Sequence, residues 1–243
     1  MKRGAVQQQP AWVLHRRAYR ESSALVEFFT ANHGRICGVV RGIQRPKAPL
    51  SALCQQFRPL LIDWTGKQEL KSIVAMEAAG EAFQLQGSCL YSGFYANELL
   101  VRTLAQGDPH TALFAAYHKL LGELASGTEI EPVLRAFEMS LLHELGYSHQ
   151  FDKLAGSGED VDSDDYYEFV SGHGVVRAEG SDKIQRFSGG VLKSVQSSEF
   201  TTPEVLRAAK LLLREALRPL LGGRPLASRE LFQQLNTDNQ FQE

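Results

Sequence analysis

The sequence has few of the residues that build disulfide frameworks or zinc sites. Its 243 residues include only three cysteines, Cys37, Cys54 and Cys89, which lie far apart and form no Cys-x-x-Cys pair. An odd number of scattered cysteines argues against a disulfide-stabilised domain and a zinc finger, and it indicates a reducing compartment. We therefore predict a cytoplasmic protein that uses no metal or other cofactor.

Long apolar runs are also missing. No stretch approaches the roughly twenty apolar residues that a membrane-spanning helix needs, because Arg, Glu or His interrupts the longest runs. The first ten residues carry the cations Lys2 and Arg3 without an apolar stretch behind them, so we do not expect them to act as a secretory signal. The sequence predicts no membrane partner.

The motifs of common enzyme classes are incomplete. The Gly66-Lys67 pair lacks the upstream glycine of a phosphate-binding loop. Aspartates alternate in residues 160–165 as at the start of a calcium loop, but Asp165 stands where that loop needs glycine. Ser157 lies between two glycines without the spacing of a nucleophile elbow. We predict a protein that is not an enzyme.

The charges are divided unevenly along the chain. Residues 1–71 contain 12 Lys and Arg against 4 Asp and Glu, a net charge of +8, whereas residues 72–199 contain 8 against 19, a net charge of −11. Residues 200–243 contain 6 against 5, so the three parts give the net charge of −2 for the whole chain. Such asymmetry favours a polyanion-binding region joined to a second region, although two differently charged solvated faces would also produce it.

Short apolar or β-branched runs separated by turn residues dominate the first part of the chain. Five such runs within roughly 65 residues, with no second layer to pack on, predict a small closed barrel of the OB type. The segment Gly42–Ser51 holds two prolines and two cations, so we predict an exposed basic loop there. The five predicted strands are Trp12–Leu14, Ser23–Phe29, Arg35–Val40, Phe57–Trp64 and Leu70–Val74.

Beyond about residue 80 the apolar spacing changes to that of helices. We predict an α+β protein with an OB-fold β-barrel domain at 1–82 and a mostly helical domain at 83–243, which carries an acidic loop and a small β-hairpin insertion at 152–177. The predicted helices cover Tyr91–Arg102, a segment that starts at Asp108-Pro109, Pro132–Gly146, a segment from Thr202-Pro203 to Gly222-Gly223, and a short last helix from Ser228.

Basic residues near predicted turns and strand ends are the candidates for nucleic-acid binding. Cations on a barrel surface can follow a phosphate backbone, and aromatic side chains can stack on bases. The aromatic candidates are Trp12, Tyr19, Phe57 and Trp64, for most of which core filling is the simpler interpretation, with Tyr19 the most open. The predicted DNA-binding residues are Arg16, Arg17, Arg20, Arg35, Arg41, Arg45 and Lys47.

Several stretches along nearly the whole chain resemble one known family. They are Val13–His15, Glu21–Ser23, Phe29-Thr30, Gly34-Arg35, Phe57–Leu61, Tyr91–Leu100, Phe137-Glu138, Leu145–Tyr147, Ala155–Gly158, Gly222–Leu226 and Ser228–Phe232. Together they resemble the RecO family of DNA repair proteins, in the form found in proteobacteria.

The resemblance implies an N-terminal OB-fold, a helical C-terminal domain and binding of single- and double-stranded DNA. It further implies strand annealing and recombination mediation, in which the protein helps the recombinase RecA to replace single-stranded DNA-binding protein, in some species together with RecR. Many members carry a four-cysteine zinc site in the region that corresponds to Phe151–Val176. This chain has no cysteine there, so we expect packing to hold the hairpin.

The resemblance also implies a receptor for the acidic, Phe-ended C-terminal tail of single-stranded DNA-binding protein. An apolar pocket suits the phenylalanine ring, and a pair of cations suits the tail carboxylates. Leu142 and Leu145 fit the apolar core of a helix equally well. The predicted tail-binding residues are Arg135, Leu142, Leu145, Tyr147, Arg207 and Lys210.

Three function classes remain, and we rank them as a DNA-binding mediator, a protein-only adaptor without direct DNA binding, and a hydrolase with a dispersed site. The mediator predicts affinity for oligonucleotides that falls with salt, whereas the adaptor predicts little affinity. The hydrolase predicts turnover of DNA or nucleotides that a chelator abolishes.

Overall fold

The fold was analysed in a computed structural model that describes residues 4–44, 49–147, 149–178 and 185–229. The chain divides into two compact units, one formed by Met1–Gly127 with Pro225–Glu243 and the other by Thr128–Arg224. The second unit is therefore inserted into the sequence of the first. The domain boundary predicted between residues 82 and 83 stays a prediction.

A closed barrel of five strands forms the start of the first unit and confirms the predicted OB-like barrel. Its strands are β1 (Val6–Tyr19), β2 (Ser23–Thr30), β3 (Gly34–Val40), β4 (Leu60–Thr65) and β5 (Leu70–Ala78). The spatial order is β1-β2-β3-β5-β4, and β4 closes the barrel by pairing with β1. All pairs are antiparallel except β3 with β5.

The barrel core follows from the period-two alternation of the strands. In β2, for example, Ala24, Val26 and Phe28 are buried in the barrel core, while Leu25 and Glu27 between them are partly exposed. The short helix α1 (Pro49–Leu53) adds Leu50 and Leu53 to this core. The predicted exposed loop at 42–51 was wrong at both ends, since Ile43 is buried in the core and α1 begins at Pro49, while residues 45–48 lie outside the described residues.

Two helices pack on the outer face of the barrel within the first unit, α2 (Gly87–Thr103) and α3 (Thr111–Ala125). Trp12 of β1 lies on that face, with its ring centroid 6.0 Å from Phe83 and 5.7 Å from Tyr117. Phe29 of β2 meets Phe114 at 5.4 Å. These rings cover the outer face of β1 and β2 and exclude water from it. Both faces of these two strands are therefore packed against apolar side chains.

The predicted helix start at Asp108-Pro109 was wrong, because α3 begins at Thr111. The segment before it is held by β3 instead of joining the helix. The Gly107 amide donates to the Arg35 carbonyl at 2.9 Å, and Gln106 forms a parallel bridge to Arg35. A cap-and-proline signal is local, and it was overridden by this strand-like pairing with a residue about seventy positions away.

The second unit combines three helices with a small sheet. Its elements are α4 (Ile130–Glu144), β6 (Tyr166–Val170), β7 (Gly174–Arg177), β8 (Arg186–Ser188), α5 (Gly189–Gln196) and α6 (Pro203–Leu217). The predicted hairpin is confirmed as β6 and β7, to which β8 adds a third strand. The predicted cap at Thr202 is also confirmed, since its hydroxyl accepts a hydrogen bond from the Val205 amide at 3.2 Å.

Packing and hydrogen bonds hold the hairpin region. Phe151, Val161 and Tyr167 are buried, and the Asp162 amide donates to the Tyr167 hydroxyl at 2.7 Å. The loop before β6 is closed by an ion pair of 2.6 Å between Lys153 and Asp160. The described residues contain no group of three or more His, Cys, Asp or Glu side chains placed to hold a metal ion. In the same residues no helix is long and apolar enough to cross a membrane.

Near its end the chain returns to the first unit, where it is held by side chains of α2. The Glu98 carboxylate accepts hydrogen bonds from the Ser228 amide at 2.8 Å, the Ser228 hydroxyl at 2.7 Å and the Ala227 amide at 3.0 Å. Arg102 donates to the Pro225 carbonyl at 3.0 Å. Burial alone would raise the pKa of Glu98, but the donors from Ser228, Ala227 and Arg102 outweigh burial and lower it.

We predict that Gly34→Ala severely destabilises the protein. Gly34 has φ of +60°, and a side-chain carbon there would lie 1.8 Å from the Asp108 carbonyl oxygen, which belongs to the backbone and cannot rotate away. We expect a loss of about 3 kcal/mol or more in the free energy of unfolding, measured by denaturant titration. The matched control is Gly107→Ala, where φ is +78° and the space is open, so only the backbone strain of about 1–2 kcal/mol is expected. Equal losses of stability in the two variants would contradict the close approach of the Asp108 carbonyl oxygen to Gly34.

We also predict a pH-dependent effect of Glu98→Gln. A carboxylate whose pKa is lowered by folding contributes stability above its ordinary pKa of 4.5, and this contribution is lost as the pH falls through the pKa in the folded protein. The variant should therefore be less stable than the parent at neutral pH, by about 1 kcal/mol. The difference should shrink on acidification, when Glu98 of the parent becomes protonated.

Urea titrations of parent and variant over a pH series measure this difference. Glu123→Gln is the control, because Glu123 makes only a 3.9 Å ion pair with Lys119. If the difference in stability between the parent and Glu98→Gln stayed constant down to acidic pH, the charge of Glu98 would not be what stabilises its contacts with Ala227 and Ser228.

Candidate nucleic-acid and peptide interfaces

Four of the predicted DNA-binding arginines lie at one end of the barrel. This end is formed by the end of β1 with the turn into β2, residues 16–22, and by the turn after β3, residues 41–44. We call these two segments the basic rim. Glu21 is their single acidic residue. The four exposed arginines of the basic rim are Arg16, Arg17, Arg20 and Arg41.

Hydrogen bonds join the two segments of the basic rim. The Gln44 amide donates to the Ser22 carbonyl at 3.2 Å, and the Gln44 side chain donates to the Ser23 carbonyl. The pairing of Ala24 with Val40 brings the start of β2 beside the end of β3. The turn that carries Arg20 is therefore fixed next to the turn that carries Arg41, although the two arginines are 21 positions apart in the sequence.

A β-bulge decides which way the arginines of β1 point. The register of β1 on β2 shifts between Val13 and His15, so Leu14 is an extra residue. Beyond the bulge, Arg16 lies opposite Val26, a barrel-core residue, whereas Arg17 lies opposite Leu25 on the outer face. Neighbouring residues of a strand point to opposite faces. Arg16 and Arg17 therefore do not act on the same surface.

The two cysteines beside these arginines confirm this division. Burial raises the pKa of the Cys54 thiol to about 11, and the adjacent Arg16 opposes that effect. Burial and the nearby Glu27 carboxylate raise the pKa of Cys37 to about 11, while Arg17 and Arg35 oppose them. Arg16 is thus next to the cysteine that follows α1, and Arg17 is near the outer face of β3. Both cysteines remain neutral thiols at neutral pH.

Arg35 does not belong to the basic rim. It lies near the start of β3, opposite Phe29, and its guanidinium forms a 2.7 Å ion pair with Glu27. The same side chain donates to the Leu104 carbonyl at 3.0 Å and is only 16% exposed. These contacts tie β3 to the end of α2 and neutralise Glu27. The sequence could not reveal them, because they depend on the register of β2 and β3 and on the return of the chain at residue 104.

The remaining candidates of the barrel are two cations outside the described residues, three buried aromatic rings and one partly exposed ring. Arg45 and Lys47 lie outside the described residues. Trp12, Phe57 and Trp64 are buried, which confirms core filling for these three. Tyr19 is partly exposed at the end of β1, and the Arg20 guanidinium lies over its ring, 5.1 Å from the centroid.

The predicted tail-binding residues of α4 are only partly at the surface. Leu142 is buried, so its core interpretation holds, and Arg135 is buried in a 2.9 Å ion pair with Glu138. Leu145 is half-buried, and Tyr147 is 47% exposed. A turn at the helix end fixes these two residues, since the Tyr147 amide donates to the Leu142 carbonyl at 2.9 Å.

The predicted cations of α6 are exposed and lie beside α4. Lys210 forms a 2.9 Å ion pair with Glu131 of α4, and the guanidinium of Arg207 donates weakly to the Pro203 carbonyl at 3.4 Å. The structure therefore brings Lys210 next to α4, and it leaves the Arg207 side chain exposed one helical turn away. The acidic partners Glu131 and Glu138 were missed by sequence reasoning. Glu138 had a usable signal, its i+3 spacing from Arg135.

Comparison with known proteins covers nearly the whole chain. The family model described as "Recombination protein O N terminal" matches residues 1–81, and the model described as "Recombination protein O C terminal" matches residues 85–230. Among similar curated proteins, "DNA repair protein RecO" of Marinobacter nauticus is 41% identical over 96% of this chain and 97% of its own length. Proteins of the same name from Glaesserella parasuis and Haemophilus influenzae are 44% and 43% identical, each over 93% of this chain and 95% of their own length.

Proposed function

Because the chain belongs to the recombination protein O family, and its curated relatives are named DNA repair proteins, we propose that it is a DNA-binding recombination mediator. It binds single- and double-stranded DNA, anneals complementary strands and helps RecA to load onto DNA coated with single-stranded DNA-binding protein. None of the relatives named above carries the name of an enzyme. The observation that supports DNA binding best is the basic rim, in which Arg17, Arg20 and Arg41 are exposed.

In this proposal the basic rim holds one strand by its phosphates. Arginine donates in a planar fork that suits phosphate oxygens, and release of condensed counterions supplies much of the affinity. Arg17, Arg20 and Arg41 are the contacts we favour, since Arg16 points away from Arg17. Bases that are not read by the protein stay free to pair with a complementary strand. Annealing then needs no covalent step, which agrees with the proposed non-enzymatic role.

The ion pair of Arg35 with Glu27 supports the rim in a different way. Glu27 lies on the outer face of the barrel, between His15 of β1 and Cys37 of β3. It is two residues along β2 from Leu25, which pairs with Arg17. A bare carboxylate there would repel a phosphate backbone. Arg35 neutralises it, so we assign Arg35 the role of preserving the positive potential of this face instead of contacting DNA.

The second unit is proposed to receive the C-terminal tail of single-stranded DNA-binding protein. Exposed Tyr147 and half-buried Leu145 offer apolar contact for a terminal phenylalanine. Arg207 and Lys210 offer cations for the acidic residues of the tail. Arg135 and Leu142 are buried, and their proposed role is to support these groups by packing. RecR and RecA are further proposed partners, to which no residue of this chain is assigned.

The alternatives differ in what they predict for DNA. A protein-only adaptor would use the basic rim to dock an acidic partner, and it would bind oligonucleotides weakly at physiological salt. A hydrolase with a dispersed site would turn over DNA or nucleotides. The proposed mediator binds oligonucleotides without cleaving them, and its affinity falls linearly with salt on logarithmic axes.

We predict that the triple variant Arg17→Ala, Arg20→Ala, Arg41→Ala weakens binding of single-stranded DNA and flattens its salt dependence. Each lost phosphate contact lowers the slope of log affinity against log salt by about 0.7, so the triple variant should lose about 2 in slope. Fluorescence anisotropy over a salt series measures this. Arg218→Ala, which removes an exposed cation of the second unit, serves as the control.

An annealing assay on coated complementary strands extends this test to the basic loop that the sequence predicts at 42–51. Arg41, Arg45 and Lys47 are replaced with Ala or Glu, and the annealing rate is compared with that of the parent. An unchanged rate together with an unchanged affinity would remove Arg41 and the predicted loop from the proposed DNA-binding surface.

We further predict that Arg207→Ala with Lys210→Ala weakens binding of an acidic peptide that ends in Phe by roughly tenfold, because two charge-assisted contacts are lost. Isothermal titration with the synthetic peptide measures the affinity. Lys119→Ala, which removes a 75% exposed cation of the first unit, is the control. Equal weakening by the control would show only a general effect of net charge.

A further inference from the structure

Tyr19 and Arg20 form an uncommon pair at the tip of the basic rim. Tyr19 is the last residue of β1 and is partly exposed, whereas the other three aromatic candidates of the barrel are buried. The Arg20 guanidinium centre lies 5.1 Å from the centroid of the Tyr19 ring. This places a planar cation and an aromatic ring in contact at the surface, a combination that can accept both a phosphate and a base.

The backbone at Arg20 is held in a conformation that arginine rarely adopts. Its φ is +55°, in the left-handed region that favours glycine and asparagine. A glycine would relieve this strain but would remove the guanidinium. Residues in such strained positions cluster at functional sites, where the surrounding structure enforces them. The strain at Arg20 therefore suggests a role for its side chain.

The surroundings of the pair fix its position. Tyr19 pairs with Ser23 across the turn, and the Ser23 carbonyl accepts the side-chain donor of Gln44. The amide of Gln44 also donates to the carbonyl of Ser22, the last residue of the same turn. The turn of Arg41–Gln44 thus braces the turn of Arg20–Ser22 from the side. A turn that is already fixed loses little conformational entropy when a nucleotide binds to it.

We propose that Tyr19 and Arg20 form a subsite for a single unpaired nucleotide, in which the Tyr19 ring stacks on the base and Arg20 binds the adjoining phosphate. This deepens the DNA-binding function proposed above and rests on it. A base in a duplex is covered on both faces by its neighbours, so the subsite selects single-stranded over double-stranded DNA. Stacking depends on a π-face that every base has, so the subsite has little sequence preference.

The test compares two ligands that differ only in their bases. One is an oligothymidylate, and the other is an oligonucleotide of equal length whose sugar-phosphate backbone carries abasic sites throughout. Tyr19→Ala should weaken binding of the oligothymidylate by about fivefold or more and leave binding of the abasic strand unchanged. Tyr19→Phe keeps the ring and should bind both ligands like the parent.

The outcomes separate this inference from the proposed function. Equal weakening on both ligands, or no weakening on either, would overturn the subsite while leaving DNA binding intact. Failure of the parent to bind either ligand would overturn the proposed function itself. A loss confined to the oligothymidylate would support the subsite.

Three further variants keep the test independent of folding defects. Arg20→Gly removes the cation and relieves the left-handed strain, so it should weaken binding of both ligands without lowering the unfolding midpoint. Ser198→Gly relieves the same kind of strain in the second unit, where φ is +58°, and should leave DNA affinity unchanged. Tyr19→Trp places an exposed indole at the subsite, and its fluorescence should be quenched by oligothymidylate and not by the abasic strand. Loss of affinity in Ser198→Gly, or quenching by both ligands, would contradict the assignment.

Discussion

The carbonyl oxygen of Asp108 occupies the place where a side chain on residue 34 would begin, and this contact sets the arrangement of the first unit. It lets the loop after α2 lie directly on the start of β3, where Gly107 and Gln106 pair with Arg35. The guanidinium of Arg35 then reaches both the end of α2 and the carboxylate of Glu27. One close backbone approach therefore positions α2 and α3 over the aromatic face of the barrel.

A consequence is that positive charge is not equivalent to DNA-binding potential in this chain. Arg35 and Arg135 are both engaged by carboxylates and largely buried, whereas the arginines of the basic rim are exposed. A buried cation needs an oppositely charged partner. The ion-paired arginines therefore belong to the packing within each unit. The proposed DNA-binding surface is then formed by the cations that folding leaves in contact with water.

The sequence predicted the elements well, because their signals are local. Alternation in Ser23–Phe29, the cap at Thr202 and the turn around Gly172 each depend on a few neighbouring residues, and each appears in the structure. The start of α3 was wrong because a contact with β3 overrides the local signal at Asp108. The candidate site could be predicted only as a set of residues. Which of them share a surface depends on the bulge at Leu14 and on cross-strand register, neither of which has a local signature.

The bulge divides β1 into two parts whose outer faces have different roles. Before Leu14 the outer face of β1 is covered by α3, and Trp12 packs among the rings of that helix. After Leu14 the same strand presents His15 and Arg17 on the outward side. Loss or gain of one residue at this point would exchange the directions of Arg16 and Arg17 without replacing either arginine. The placement of positive charge on the surface is thus encoded by a count of residues as much as by their identity. An aligned arginine in a relative is equivalent only if its strand keeps the same count.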